Sequence, residues 1–130
     1  MTRQALVIED LDFWQDTLCE ILTDANYEIV VVSSRAQALD ALEQHHFDLA
    51  VIDPVLDDNN RHNRDGLRIL QHILDKFPGM RAIITTSSDP IRIRQEVRAM
   101  SPNVPILWKD EWDDDQFLSI LRDFFATREI

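Results

Sequence analysis

Four apolar segments of this chain run directly into residues that could do chemistry. Residues 5–8 are followed by Glu9-Asp10, 49–52 by Asp53, 82–84 by Thr85-Thr86, and 104–108 by Lys109. In an open parallel sheet, ligands bind beyond the carboxyl ends of the strands, near the point where strand order reverses. If these segments are such strands, three carboxylates, a hydroxyl and an ammonium converge at one end of the sheet. Carboxylates placed that close raise one another's pKa and cannot all ionise cheaply. A divalent cation resolves the conflict. An all-oxygen set without thiolate or required imidazole favours a hard ion, and Mg²⁺ keeps several waters while using few carboxylates. Singly, each acid has an ordinary alternative as a solvated strand end or a cap on the next helix; it is their joint arrival that points to chemistry. The lysine is conspicuous too. The chain has two, Lys76 and Lys109. Lys76 falls at an expected helix end beside Pro78, where the helix dipole favours a cation. Lys109 follows an apolar run and precedes Asp110-Glu111.

Those residues need a scaffold, and the pattern of the chain supplies one. Five short runs, 5–8, 29–32, 49–52, 82–84 and 104–108, are β-branched or leucine-rich without polar alternation, as strands covered on both faces require. Helix-period stripes separate them. Leu11, Trp14, Leu18, Ile21 and Leu22 form the first; Ala36, Leu39 and Leu42 the second, with Ser33 or Ser34 as N-cap and an end near 44–46. Leu67, Leu70, Ile73, Leu74 and Phe77 form a third, stopped by Pro78-Gly79. Ile93, Val97 and Met100 form a fourth, stopped near Pro102, and Phe117, Ile120, Leu121 and Phe124 the last. Five β-α units with short connections predict one α/β domain over residues 1–130, a parallel sheet with helices on both faces. One connection is long: residues 54–65 are polar, which marks the loop as functional or mobile.

Composition excludes several alternatives. The 130 residues are 45% hydrophobic and 28% charged, a balance that supports a core. Only Gly66 and Gly79 are glycines, too few and too far apart for a glycine-rich nucleotide loop. The single cysteine, Cys19, rules out an internal disulfide and a Cys-pair zinc site. A net charge of −11 argues against direct nucleic-acid or membrane binding. No apolar run approaches the roughly eighteen residues of a membrane span, and no signal-peptide core opens the chain, so a cytoplasmic protein is expected.

The combination resembles the receiver domain of two-component response regulators. Leu6-Val7-Ile8-Glu9-Asp10, Asp48-Leu49-Ala50-Val51-Ile52-Asp53, Ile83-Ile84-Thr85-Thr86-Ser87 and Ile106-Leu107-Trp108-Lys109 carry the likeness, with Asp65-Gly66-Leu67 as the step into the third helix. The resemblance implies a flavodoxin-like, doubly wound sheet of five parallel strands in the order 2-1-3-4-5, with five helices. It implies that Asp53 accepts a phosphoryl group from a phosphohistidine of a sensor histidine kinase or phosphotransfer protein. It makes Asp10 a direct Mg²⁺ ligand, Glu9 a ligand through water, and Asp53 and the Val55 carbonyl the remaining protein ligands. Thr86 would bond the phosphoryl oxygen and Lys109 would pair with it. Val55 and Ser88 match positions that tune water's access to the acyl phosphate, and an apolar Val55 implies slow self-dephosphorylation. These roles suit the chemistry, since phosphoryl transfer needs mainly positioning and charge neutralisation.

The chain also departs from the family's pattern. Asp110 follows Lys109 where proline, often in a cis bond, is usual. Ile106 stands three positions before the lysine where an aromatic readout residue is common. Pro54 follows Asp53 directly, and the loop carries Asp57, Asp58, Arg61 and Arg64, expected to project into solvent rather than over the pocket. These changes touch the switch and the output rather than phosphoryl acceptance. They keep open a second class, a pseudo-receiver serving as a phosphorylation-independent interaction module. A self-standing hydrolase lacks an obvious base for water. Elsewhere, His45-His46 suit a helix C-terminus, Cys19 reads as inert, Trp14 and Phe124 as core, and Trp112 as surface-exposed. Arg92, Arg94 and Arg98 on the fourth helix and Asp110, Glu111, Asp113, Asp114 and Asp115 before the fifth could pair across the two-fold axis of a homodimer, where family members often associate. A solvated face with weak local ion pairs is the alternative.

Overall fold

The computed structural model describes residues 2–57, 59–60, 62–87 and 90–126. Strands and helices alternate throughout: β1 (Arg3–Ile8), α1 (Asp12–Asp24), β2 (Tyr27–Val32), α2 (Arg35–Gln44), β3 (Leu49–Ile52), α3 (Asp65–Lys76), β4 (Arg81–Thr86), α4 (Pro90–Met100), β5 (Ile106–Trp108), a 3₁₀ turn (Lys109–Glu111) and α5 (Asp114–Phe124). The strands form one parallel sheet in the order β2-β1-β3-β4-β5. This is the doubly wound, flavodoxin-like arrangement, with its switch of direction between β1 and β3.

Each face of the sheet is a core. Leu6, Ile8, Ala50, Ile52 and Ile84 point toward α2, α3 and α4, where Leu70, Ile73, Ile93 and Val97 meet them. Ala5, Val7, Val51, Ile83 and Leu107 point the other way, toward Leu18 and Leu22 of α1 and Phe117 and Leu121 of α5. Strands buried on both faces are continuous apolar runs for this reason. β5 starts later than the apolar run that contains it. Pro105 has no N–H for a ladder and contributes only its carbonyl, which accepts from Ile84 N–H at 2.9 Å.

The helix ends follow local chemistry. Ser34 caps α2 by accepting the Gln37 amide at 3.2 Å, and Gln37 reaches back to the Ser33 amide at 2.9 Å. Asn26, after α1, takes a left-handed φ of 71°, a conformation asparagine tolerates at helix ends. The buried face of α2 differs from the expected stripe. Ala38, Ala41 and Leu42 are buried, Leu39 is half-buried and Ala36 is exposed. Five of the ten residues are apolar, so two overlapping stripes fit the sequence, and the inward face is the one led by two alanines.

The register brings the strand ends level. Ile8 pairs with Ile52, Ile52 with Ile84, and Ile84 with Ile106. Glu9 and Asp53 are therefore neighbours, fixed by backbone bonds from Glu9 N–H to the Val32 carbonyl (3.0 Å) and from Asp53 N–H to the Ile8 carbonyl (2.9 Å).

Candidate functional site

At the carboxyl end of the sheet Glu9, Asp53, Thr86 and Lys109 are all buried, and Asp10 is half-buried. Such burial of ionic groups requires partners. Lys109 supplies two contacts, donating from Nζ to Asp53 Oδ2 at 2.9 Å and to Glu9 Oε1. The other Asp53 oxygen, Oδ1, accepts the Val55 amide at 2.9 Å. Glu9 Oε2 accepts the amides of Asp10 (3.1 Å) and Leu11 (3.3 Å), so this carboxylate satisfies N–H groups at the start of α1, where Leu11 offers no side-chain cap.

Charge is crowded here. Burial, and then the neighbouring charge of Asp53, raise the Glu9 carboxyl to about 8. Burial by itself would lower the Lys109 ammonium, but the charges of Asp53 and Glu9 more than offset it and raise it. One oxygen each from Glu9, Asp10 and Asp53 lie within 4.8 Å of one another. Close-set carboxylates with oxygen donors alone fit a hard divalent cation. Both Glu9 oxygens are already engaged by protein donors, which suits an indirect role for this residue at such an ion.

The lysine reaches its partners without a proline behind it. No cis peptide occurs among the described residues, and Lys109 opens a 3₁₀ turn that carries Asp110 and Glu111. Gly66 is required on the opposite side. A Cβ there would stand 1.9 Å from the Asp53 carbonyl oxygen and 2.6 Å from Pro54 Cα, so only glycine lets α3 approach the turn after Asp53 this closely.

Several aromatic and loop residues lie where the sequence did not put them. Trp14 is half-buried with its ring centroid 5.2 Å from Lys109 Nζ, a contact with the site rather than with the core. Trp112 is half-buried rather than exposed, packed between Trp14 (5.2 Å) and Phe117 (5.4 Å), with its indole N–H donated to Asp114 at 2.7 Å. Ile106 packs against the core, but Trp108 supplies an aromatic two residues further along β5 on the same face, level with Thr86. Beside it a cleft of about 540 Å³ opens between Thr86, Ile91, Arg94, Trp108 and Asp110, with the Arg94 guanidinium 5.4 Å from the Trp108 ring. In the long loop Asp57 is exposed as expected, but Arg64 is not, because it forms a 2.8 Å ion pair with Glu96 of α4. Asn63 holds the base of the loop by accepting the Leu56 and Asp65 amides. Asp58, Arg61 and Ser88 lie outside the described residues.

Comparison with known proteins identifies the family and agrees with the fold. Residues 5–110 match the response regulator receiver domain family, and the chain belongs to it. The fold is similar to a signal receiver domain of an HD domain-containing protein from Pseudomonas fluorescens Pf-5, with a TM-score of 0.81 and 20% identity over 95% of this chain and 94% of that one. It is equally similar to a CheY-like receiver domain from Methanospirillum hungatei JF-1, with a TM-score of 0.81 and 20% identity over 95% and 93% of the two chains. A response regulator from Thermotoga maritima has a TM-score of 0.77 and 16% identity over 98% of this chain and all of its own (100%). No curated protein sequence matches the chain. No helix among the described residues is long and apolar enough to cross a membrane.

Proposed function

We propose that this receiver domain takes a phosphoryl group from the phosphohistidine of a sensor histidine kinase or phosphotransfer protein onto Asp53, and switches conformation to control an output or partner. The observation that carries the reading is the Asp53 carboxylate, buried yet held at both oxygens by Lys109 and the Val55 amide, beside two further carboxylates. In the reaction an Asp53 oxygen forms a bond to phosphorus as the P–N bond to the donor imidazole breaks, and the ring nitrogen keeps the electron pair. Lys109 neutralises charge on the phosphoryl oxygens, and the Thr86 hydroxyl donates to one of them. Asp10 and Asp53 would hold Mg²⁺ with the Val55 carbonyl, and Glu9 would do so through water. Bound there, the ion offsets the charge that Asp53 and the incoming group share.

Incorporation of ³²P from acetyl phosphate with Mg²⁺ tests the proposal. The protein should label, and Asp53→Asn should not. Full labelling of that variant, or none of the parent, overturns the reading, and the latter turns it toward a phosphorylation-independent interaction module. A millimolar Mg²⁺ titration followed by tryptophan fluorescence checks the ion separately, since Trp14 and Trp108 flank the site. We assign the work to a single cytoplasmic domain that binds neither nucleic acid nor membrane. Association through α4 and α5 would pair Arg92, Arg94 and Arg98 with Asp110, Glu111, Asp113, Asp114 and Asp115, in competition with contacts these residues make within the chain. Arg94 already stacks on Trp108, and Arg98 donates to the Val104 carbonyl at 2.8 Å. Mass measurement with and without beryllofluoride decides whether that homodimer forms.

A further inference from the structure

Lysine is a poor group to aim. Its stem has several rotatable bonds, and the point charge at its tip carries no preferred direction. Lys109 has two carboxylates pulling on it, Glu9 and Asp53, and the residue after it, Asp110, places no special restriction on the backbone. What surrounds the ammonium therefore decides where it rests. Two of its three N–H groups go to carboxylates. On another side lies the indole of Trp14, centred 5.2 Å from Nζ. The Lys109 side chain is 2% exposed although it sits at the end of a strand beside an open cleft. A half-buried indole at that distance both excludes water and offers the negative face of a π system to the cation, an attraction that grows as water is removed.

Trp14 is itself held. It is the third residue of α1, with the exposed Phe13 edge-on at 5.5 Å on one side and Trp112 at 5.2 Å on another. Trp112 is the residue that ends the 3₁₀ turn begun by Lys109, and its far side rests on the fully buried Phe117 of α5. One aromatic pair therefore bounds both ends of the lysine, Trp14 at its ammonium and Trp112 at the turn carrying its backbone.

We propose that Trp14, braced by Trp112, is a positioning residue that holds the Lys109 ammonium on Asp53. This rests on the reading of Asp53 as phosphoacceptor, and the two can fail separately. Trp14 does not touch the phosphoryl group; it acts through the lysine. Removing its ring should slow phosphorylation while leaving the acid cluster, and hence the Mg²⁺ requirement, as it was.

The two lysines make the contact directly observable. In protein labelled with ¹³Cε-lysine, Lys76 is exposed and gives the reference signal, whereas the Lys109 Hε protons should be displaced upfield by the Trp14 ring current. An unshifted Lys109 signal in the parent protein overturns the contact without any variant. Trp14→Met fills the space with an unbranched apolar chain and should abolish the upfield shift. It should slow labelling by acetyl phosphate about tenfold at saturating Mg²⁺, with the Mg²⁺ concentration for half-maximal rate unchanged. Trp14→Phe, which keeps a π face, should restore most of the rate. Loss of the shift in Trp14→Met with labelling at the parent rate overturns positioning. So does a rate defect that Trp14→Phe shares in full, or one that disappears at higher Mg²⁺. If the parent protein shows the shift but does not label, the phosphoacceptor reading falls while the lysine–indole contact stands.

Discussion

The two ends of the sheet handle charge in opposite ways. At the carboxyl end Glu9, Asp53 and Lys109 are buried against one another. At the amino end the charges remain at the surface and lie on aromatic faces. Arg3 stands 4.3 Å from the Phe125 ring centroid and Arg81 5.5 Å from that of Phe124, while Asp48 closes the strand starts by accepting the Gln4 amide at 2.9 Å. Burying an ion pair gains little stability and often costs some, whereas a surface cation over a half-buried ring contributes modestly at little desolvation cost. The amino end is what this fold does for stability alone. The carboxyl end keeps an arrangement that stability would not select, as expected if it serves the proposed chemistry.

Breaking the buried side of that comparison should have the largest effect. Lys109→Met keeps the length of the side chain and removes its charge, leaving Glu9 and Asp53 side by side without a cation. Urea unfolding in EDTA should show a loss of about 3 kcal/mol, the usual scale for removing one partner of a buried pair. Added Mg²⁺ should recover part of it, because an ion that binds only the folded state stabilises it by mass action.

Gly66→Ala comes next. Its methyl group would meet the backbone oxygen of Asp53, and backbone cannot step aside as a flexible side chain does. A loss of about 2–3 kcal/mol is expected, at the upper end for overpacking. Because α3 would be pushed off the Asp53 turn, labelling by acetyl phosphate should fall as well. A merely destabilised protein that still labels at the parent rate would separate the two effects.

Glu9 gives the comparison a pH dependence. Burial first, and Asp53 second, raise its pKa from 4.5 unfolded to about 8 folded, so between those values the folded state binds the extra proton. Stability then falls as pH rises from about 5 to 8, because the unfolded state binds fewer protons in that window. Lys109, raised above 10.5, stays charged throughout. In EDTA, Glu9→Gln should flatten the slope of unfolding free energy against pH, and an unchanged slope would place its origin elsewhere.

Much of this was legible before any coordinates. Parallel strands buried on both faces are nearly pure apolar runs, so Glu9, Asp53, Thr86 and Lys109 marked their ends in the sequence. What was hidden depended on distance along the chain or on choices among similar faces. The Arg64–Glu96 pair joins residues 32 apart on a loop and a helix, and nothing local announces it. The periodicity put Trp14 on the inner stripe of α1 but could not show that the inner side there is Lys109. The level pairing of Trp108 with Thr86 needs the β4–β5 register, which hydrophobic pattern alone does not fix for a three-residue strand. The face of α2 was ambiguous because its alanines suit either side.

Adjacent threonines sharpen the comparison within a single strand. Thr86 and Thr85 point to opposite faces of β4, and the Thr85 hydroxyl is buried with no hydrogen-bond partner among the described residues. Thr85→Val should therefore stabilise the protein by about 1 kcal/mol, since it removes an unsatisfied polar group at nearly constant shape. It should leave labelling unchanged. Thr86→Val should instead slow labelling, with a smaller effect on the unfolding midpoint.

The smallest effects belong to the amino end. Arg81→Met removes a cation from the Phe124 face but strands no buried partner, and its aliphatic chain can still cover the ring. A loss of no more than about 0.5–1 kcal/mol is expected, with labelling and its Mg²⁺ dependence unaltered. Arg3→Met should behave alike at Phe125. Identical substitutions of cation by methionine at the two ends of one sheet thus differ in consequence by severalfold, in proportion to burial and not to charge. Equal losses at Lys109 and Arg81 would mean that the carboxyl-end cluster is as well solvated as the surface, and the case for a preorganised phosphoacceptor pocket would go with it.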